Sequence, residues 1–257
     1  MSHFTVAVIT KDPNNLEDIM APFFEQGDDD SPYMEFEDCT EEVQDDWAEY
    51  CKNAEPNELK AQQAVGSMTY KDIDDYAENY HGYTKNDEGK YGYMTNPNSK
   101  WDGFSVGGRW PGMLQLKDGG IGINGSPGLM TEANEDPTKC DVALLKDIDF
   151  EGMKNDHIKN VDEIWAKFEK GEYKDPYREA GIEKDETKET FLARRLGAPT
   201  FSFLTEEGNW IEPGSMGWFG CSTDTKDTRA AYDEQWHECL KQLDHDDTYL
   251  MIVDCHI

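Results

Sequence analysis

The pattern of apolar and polar residues predicts a buried β-strand near each end of the chain. Residues 4–10 form an apolar, β-branched run that ends at a Lys-Asp-Pro-Asn-Asn turn cluster. The last ten residues, TYLMIVDCHI, form a second run of this kind. Each predicted strand has a histidine close to its outer end, His3 in the first and His256 in the second.

Between these strands, four segments carry apolar residues at helical spacing. Thr40 and Asp227 are the predicted N-caps of the first and last of these helices, and Gly171 is the predicted C-cap of the third. The apolar positions are Val43 and Trp47, then Ile73, Tyr76 and Tyr80, then Val161, Ile164, Trp165 and Phe168, and finally Tyr232, Trp236, Leu240 and Leu243.

Short strands are predicted in the glycine- and aromatic-rich middle of the chain, around residues 101–104 and 113–116. CDVALLKDIDF contains another predicted strand, and TFSFLT is predicted to form a hairpin with EEGNWIEPG. No internal repeat or low-complexity linker divides the chain. We therefore expect one domain with charged insertions near residues 14–87 and 150–197.

Strands at both ends of a mixed chain predict an α+β fold with a ferredoxin-like core, in which the first and last strands are antiparallel neighbours. This pairing sets the start of the first strand beside the end of the last. Because side chains alternate across a strand, His3 and Thr5 share one face, as do Asp254 and His256. We expect all four side chains to meet at one edge of the sheet.

The charge of the chain narrows the classes of function. Fifty-five acidic against 24 basic residues give a net charge of −31, which repels nucleic acid and anionic lipid. The N-terminus lacks the basic start and apolar run of a signal peptide, and no stretch approaches the length of a membrane span. Six scattered cysteines show no metal or disulfide spacing. We expect a cytoplasmic protein without membrane, nucleic-acid or metal binding.

Two imidazoles on either side of a phosphate can act in turn as base and acid. The tripeptide His3-Phe4-Thr5 matches the His-x-Thr half-motif of two-histidine phosphoesterases, whose hydroxyl helps to hold phosphate. Those enzymes carry two such tripeptides, whereas only Ile257 follows the second histidine here. Two alternatives stay open: hydrogen-bonded strand ends without catalysis, or a metal pair with Asp254 or Cys255 as a further ligand.

WDGFSVGGRWPG is the most distinctive stretch of the sequence. Gly107 and Gly108 permit positive φ and close backbone approach. Arg109 is a rare cation whose planar fork suits phosphate, and Trp101 and Trp110 can stack on a base. The alternative is a hairpin turn with core tryptophans and an Arg paired to an acid.

A second glycine-aromatic patch, EPGSMGWFGCSTD, contributes one more candidate wall of a ligand pocket. Trp218 lies at its centre. Cys221 is not predicted to be a nucleophile, because no neighbouring sequence feature would lower the pKa of its thiol. Neither patch matches a phosphate-loop or dinucleotide fingerprint, and no cofactor is expected.

The combination of MSHFTV, WDGFSVGGRW, DIDFEGM, GSMGWFG and the terminal VDCHI resembles a family of bacteriophage proteins. The resemblance implies a phage protein made in the bacterial cytoplasm. Phage accessory proteins of this size often counter host defence, and some sequester or cleave the nucleotide signals of defence systems.

These observations predict a protein that binds a small nucleotide-like immune signal and hydrolyses or sequesters it. His3, His256 and Thr5 are the candidate catalytic residues. The candidate ligand contacts are Arg109, Trp110, Trp101, Trp218 and Asp254. The alternative is an acidic, non-enzymatic interaction protein or DNA mimic that blocks a host protein. A host defence protein is a candidate partner, and a homo-oligomer is compatible with either hypothesis.

Overall fold

The computed structural model describes residues 2–28, 30–53, 70–216 and 221–257. The chain groups into two compact units, residues 1–21 with 100–257 and residues 22–99. A compact unit is not by itself an independently folding domain. The expectation of one domain with charged insertions therefore stays a prediction.

The structure combines a large, mostly antiparallel sheet with separate helices, so the predicted α+β class is confirmed. The strands are β1 (His3–Thr10), β2 (Glu35–Asp38), β3 (Thr84–Lys85), β4 (Tyr91–Thr95), β5 (Gly103–Gly108), β6 (Leu114–Gln115), β7 (Gly122–Ile123), β8 (Ser126–Pro127), β9 (Lys139–Cys140), β10 (Val142–Leu144), β11 (Ser202–Leu204), β12 (Trp210–Ile211) and β13 (Tyr249–His256). The helices are α1 (Leu16–Met20), α2 (Thr40–Asn53), α3 (Ile73–Tyr76, continued by a π-helical turn over Ala77–His81), α4 (Phe150–Glu169), α5 (Pro176–Ala180), α6 (Lys188–Arg195) and α7 (Lys226–Gln242).

The two terminal strands lie side by side at the centre of the main sheet. β1 pairs antiparallel with β13 along its whole length and parallel with β11, which pairs with β12. On its other side β13 pairs with β10 and, closer to its end, with β5. The predicted antiparallel neighbours are thus confirmed. Because strands also lie beyond β13, the last strand is internal and the sheet exceeds a four-stranded ferredoxin-like core.

One face of β1 and β13 changes from apolar to polar toward the chain ends. Ile9 and Ala7 are followed on the same face of β1 by Thr5 and His3. The matching row of β13 runs from the apolar Leu250 and Ile252 to the polar Asp254 and His256. The apolar part of both rows belongs to the main hydrophobic core. The polar ends extend this face past the core.

Further strands and connecting segments of this unit complete the core together with Tyr232 and Trp236 of α7, and Phe150 and Met153 of α4 pack against it. Three predicted helix starts are corrected. Thr40 is already the first residue of α2, and its hydroxyl accepts a hydrogen bond from the main-chain N–H of Tyr91 instead of capping the helix. Thr225, not Asp227, caps α7 and forms a capping box with Thr228. α4 starts at Phe150, before the predicted helical pattern.

Within the described residues, no helix is both long and apolar enough to cross a membrane.

The second unit is a small sheet, in the order β2–β4–β3, that packs with α2 and α3 around Val43, Ala77 and Tyr91. Its aromatic rings form a continuous cluster. The ring of Tyr83 stacks on those of His81 and Tyr93, with centroids 5.0 and 5.4 Å apart. Partial burial raises the pKa of Tyr83 to about 12.

Loss of stability at alkaline pH is expected from this tyrosine. Its phenol ionises near pH 10.0 in the unfolded chain but only near pH 12 in the folded one. The stabilisation it contributes is therefore complete below pH 10.0 and is lost as the pH rises toward about 12. We expect the urea midpoint to fall less steeply across this range in Tyr83→Phe than in the parent protein. Equal slopes would show that Tyr83 does not carry the effect.

Candidate functional site

The histidines of the two chain ends form one pair of rings. His3 and His256 are direct partners in the register of β1 and β13. Their ring centroids lie 4.8 Å apart, and the ring planes meet at 63°. About a fifth of each side chain is exposed, at 22% and 21%. The pair is therefore held by the sheet and still reachable from solvent.

Each imidazole is oriented by its own carboxylate. Nδ1 of His3 lies 2.8 Å from Oδ1 of Asp254, which is its diagonal neighbour on β13 and only 4% exposed. Nδ1 of His256 is hydrogen-bonded to Oδ1 of Asp102, just before β5. The main-chain N–H of Asp102 also donates to the carbonyl oxygen of His256, at 2.9 Å. The two histidines thus have separate and matching supports.

This arrangement fixes the tautomer of both rings. A carboxylate beside Nδ1 accepts a hydrogen bond, so the neutral ring carries its proton on Nδ1 and a lone pair on Nε2. Nε2 has no partner at either His3 or His256 within the described part of the chain. Both Nε2 atoms are consequently able to accept or donate a proton.

The two glycines that end β5 are tied to the same carboxylate. Gly107 and Gly108 have φ values of 77° and 53°, which confirms the predicted positive φ. A Cβ atom on Gly108 would lie 2.3 Å from Cβ of Asp254. The main-chain N–H of Arg109 donates to Oδ2 of Asp254 at 2.9 Å. One buried carboxylate therefore joins His3 to the loop that carries Arg109.

Arg109 is brought to the site by its main chain rather than by its guanidinium. Its side chain is exposed, and no carboxylate of the described residues forms an ion pair with it. A Cβ atom on Gly128 would lie 3.4 Å from Cγ of Arg109, so the side chain starts out along the segment that follows β8. The predicted pairing of this arginine with one of the many acids is therefore not found among the described residues. Its contact with phosphate stays a prediction.

Thr5 and Asp254 lie beside the histidines but are already engaged. Oγ1 of Thr5 accepts a hydrogen bond from the main-chain N–H of Phe201 at 3.2 Å, and the residue is 8% exposed. Its hydroxyl keeps one donor. Both oxygens of Asp254 are taken by protein groups. The structure thus gives Asp254 a positioning part, and its direct ligand contact stays a prediction.

The predicted stacking residues Trp101 and Trp110 differ in how much ring surface they expose. Trp101 is 7% exposed and packs edge-on against Phe104 at 4.9 Å, which leaves it little surface to offer. Trp110 is half-buried, next to Arg109. Trp218 lies outside the described residues. Of the three predicted stacking residues, Trp110 is the one that the structure places on the glycine loop with part of its surface exposed.

Two cysteines near the sheet are excluded as reactive groups. Cys255 alternates to the face opposite His256 and is fully buried, and burial raises the pKa of its thiol well above the usual value. Burial likewise raises the pKa of Cys140 to about 11. A metal pair with Cys255 as co-ligand is therefore ruled out, because its side chain lies on the wrong face.

Histidines that bind zinc often hydrogen-bond to a carboxylate through their second nitrogen, as His3 and His256 do. Such a site needs further ligands. Among the described residues, the group of three potential ligands that lies close enough together is Glu42, Asp46 and His81, in the second unit. Neither His3 nor His256 belongs to such a group within the described ranges.

Sequence reasoning missed Asp102 altogether. The residue lies in the tract WDGFSV, where its carboxylate has no periodic or motif signal. Its contact with His256 spans 154 positions and is created by the pairing of β5 with β13. Only the register of that pairing, which sets Gly103 opposite His256, reveals its place.

The chain was compared with protein families, curated proteins and solved structures. No protein-family model matches the chain, and neither the curated proteins nor the solved structures contain a significant match.

Proposed function

We propose that the histidine pair is the acid–base centre of a metal-independent phosphodiesterase acting on a small nucleotide-like ligand. The observation that carries this proposal is the matched support of His3 and His256, each with Nδ1 on its own carboxylate. Positioned general acids and bases each contribute about 10²- to 10⁴-fold to a rate. Two such groups 4.8 Å apart supply both proton transfers that phosphodiester cleavage requires.

In this reaction, Nε2 of one neutral ring takes the proton from an attacking hydroxyl or water as its oxygen bonds to phosphorus. The other ring, in its imidazolium form, gives its Nε2 proton to the departing oxygen as the second P–O bond breaks. One ring ends the step protonated and the other neutral. A proton exchange with solvent restores the starting state. Asp102 and Asp254 hold the rings in place throughout.

Binding of the phosphate also needs a nearby positive charge, because the two carboxylates hydrogen-bonded to the rings would repel a phosphate group. Arg109 has the only guanidinium on the loop that Asp254 anchors, and its exposed side chain has no ion pair in the described structure. A guanidinium binds phosphate oxygens in pairs. Trp110, next to it, offers a partly exposed ring for a base.

The resemblance to a bacteriophage family supports a biological setting for this chemistry. The ligand we propose is a cyclic or short nucleotide signal of bacterial defence, and its cleavage would silence that signal in the host cytoplasm. A protein that only sequesters the signal would need the ligand contacts but not the paired imidazoles.

A direct test incubates the protein with a panel of cyclic mono- and dinucleotides in the presence of EDTA. The protein is then denatured by heat, and the released nucleotides are separated by chromatography. We expect at least one nucleotide to return in linear form, and His3→Asn to return the same nucleotide uncleaved. Recovery of every nucleotide intact would overturn the phosphodiesterase.

A further inference from the structure

A pocket of about 510 Å³ lies in the first unit, away from the histidine pair. It is bounded by the first turns of α4, the end of α6 and the last turns of α7, over the main sheet. Its size falls within the range of about 300–1,000 Å³ that is typical of small-molecule sites.

The floor of this pocket is apolar. Leu114 of β6 and Leu250 of β13 are fully buried, and Trp236 of α7 is 3% exposed. Phe150 and Met153 of α4 close one side. Filling such a floor with hydrocarbon removes apolar surface from water, at about 25 cal/mol per Å².

The rim has the opposite sign to the protein as a whole. It holds Lys154, Arg195 and Lys241 but only one acid, Glu151. Acidic residues outnumber Lys and Arg by 55 to 24 in the chain, so an arbitrary set of residues would hold more acids than bases. Three of the six histidines of the protein also line the pocket, namely His157, His237 and His245.

Among the cationic and histidine side chains of the rim, Lys154 and His157 keep all their donors for a ligand, whereas the others are already hydrogen-bonded. Nζ of Lys241 is paired with Oε1 of Glu238 at 2.5 Å, and Arg195 donates to the carbonyl oxygen of Ala180. His237 and His245 are likewise hydrogen-bonded to main-chain carbonyls of their own segment. Lys154 and His157 lie three residues apart on the exposed side of α4, without a hydrogen bond or ion pair to any described residue.

We propose that this pocket binds a single-chain aliphatic carboxylate, with the hydrocarbon on the apolar floor and the carboxylate at Lys154 and His157. The rim offers cations and N–H donors, which suit an anion. The floor offers no polar partner for the sugar and base of a nucleotide, so this ligand differs from that of the histidine pair. An overall charge of −31 repels anions, and one that binds must therefore find local positive charge.

Isothermal titration calorimetry with decanoate, below its micelle concentration, tests the proposal on the full chain. We expect saturable binding of one decanoate, and weaker binding of decanol, which has the same chain without the charge. Lys154→Glu is expected to weaken decanoate binding about tenfold, because it places a negative charge beside the carboxylate. Lys159→Glu is the matched control, since Lys159 is exposed on the same helix but does not line the pocket.

Three results would overturn the proposal: no saturable decanoate binding, equal affinity for decanol, or equal weakening by the two Lys→Glu variants. The last would mean that only the net charge matters. Both substitutions are on an exposed helical surface, and circular dichroism confirms that each variant is folded. Because neither changes His3 or His256, loss of decanoate binding and loss of nucleotide cleavage are separate outcomes.

Discussion

Replacing His256 with Asn is expected to lower the rate of nucleotide cleavage by about 10²- to 10⁴-fold. The Asn side chain keeps a hydrogen bond to Asp102 within reach but has no group that can cycle a proton at the position of Nε2. His3→Asn should have an effect of the same order, because the two rings share one geometry and have matching supports. The measurement is single-turnover cleavage of the nucleotide identified by the panel.

The double variant His3→Asn/His256→Asn supplies the control for this result. Groups that act as a unit lose little more together than either loses alone. We therefore expect the double variant to be about as slow as the slower single variant, with an unchanged circular dichroism spectrum. Two effects that multiply fully would show that the imidazoles act independently and would contradict a shared proton-transfer site.

Asp141→Leu is expected to lower the free energy of unfolding by about 2–4 kcal/mol. The carboxylate is fully buried, and its two oxygens accept main-chain N–H bonds from Gly112 at 2.6 Å and Gly125 at 2.8 Å. Leu removes both acceptors, so two main-chain donors lose their partner inside the protein. Urea unfolding followed by tryptophan fluorescence measures the change.

Asp136→Leu is the matched control for Asp141. Asp136 also accepts a main-chain hydrogen bond, from Thr138 at 2.9 Å, but it is exposed, and water can replace it. We expect a clearly smaller loss of stability in this variant. Equal losses at the two positions would mean that burial of Asp141 does not matter. A Cβ atom on Gly107 would lie 2.6 Å from Oδ2 of Asp141, so this carboxylate also borders the end of β5, and its loss should slow cleavage as well.

The pairing of His3 with His256 was accessible from sequence because it follows from local rules. Apolar runs at both ends predict strands, an α+β chain favours their antiparallel pairing, and alternation then sets the faces. The hairpin of β11 with β12 is confirmed for the same reason, since a strand, a turn and a second strand follow one another directly. In each case the signal lies in neighbouring residues.

What the sequence did not reveal depends on contacts between distant segments. Asp102 supports His256 only because β5 pairs with the end of β13, and no local pattern predicts that register. The pocket beside α4 is another such case, since its cations come from three helices whose packing no single segment encodes. The first turns of α4 were not predicted because Gly152 interrupts the helical spacing of apolar residues. In the structure Asp149 is the N-cap, and its side chain accepts a hydrogen bond from the main-chain N–H of Gly152.

The proposed proton transfers require that the imidazoles of the two chain ends form one pair, each holding a proton on Nδ1 for its carboxylate. NMR of protein labelled with ¹⁵N in the histidine rings tests this most directly, at a pH where the rings are neutral. We predict Nδ1–H tautomers for His3 and His256 and a nuclear Overhauser effect between their ring protons. Nε2–H tautomers, or the absence of that ring-to-ring effect, would contradict the account.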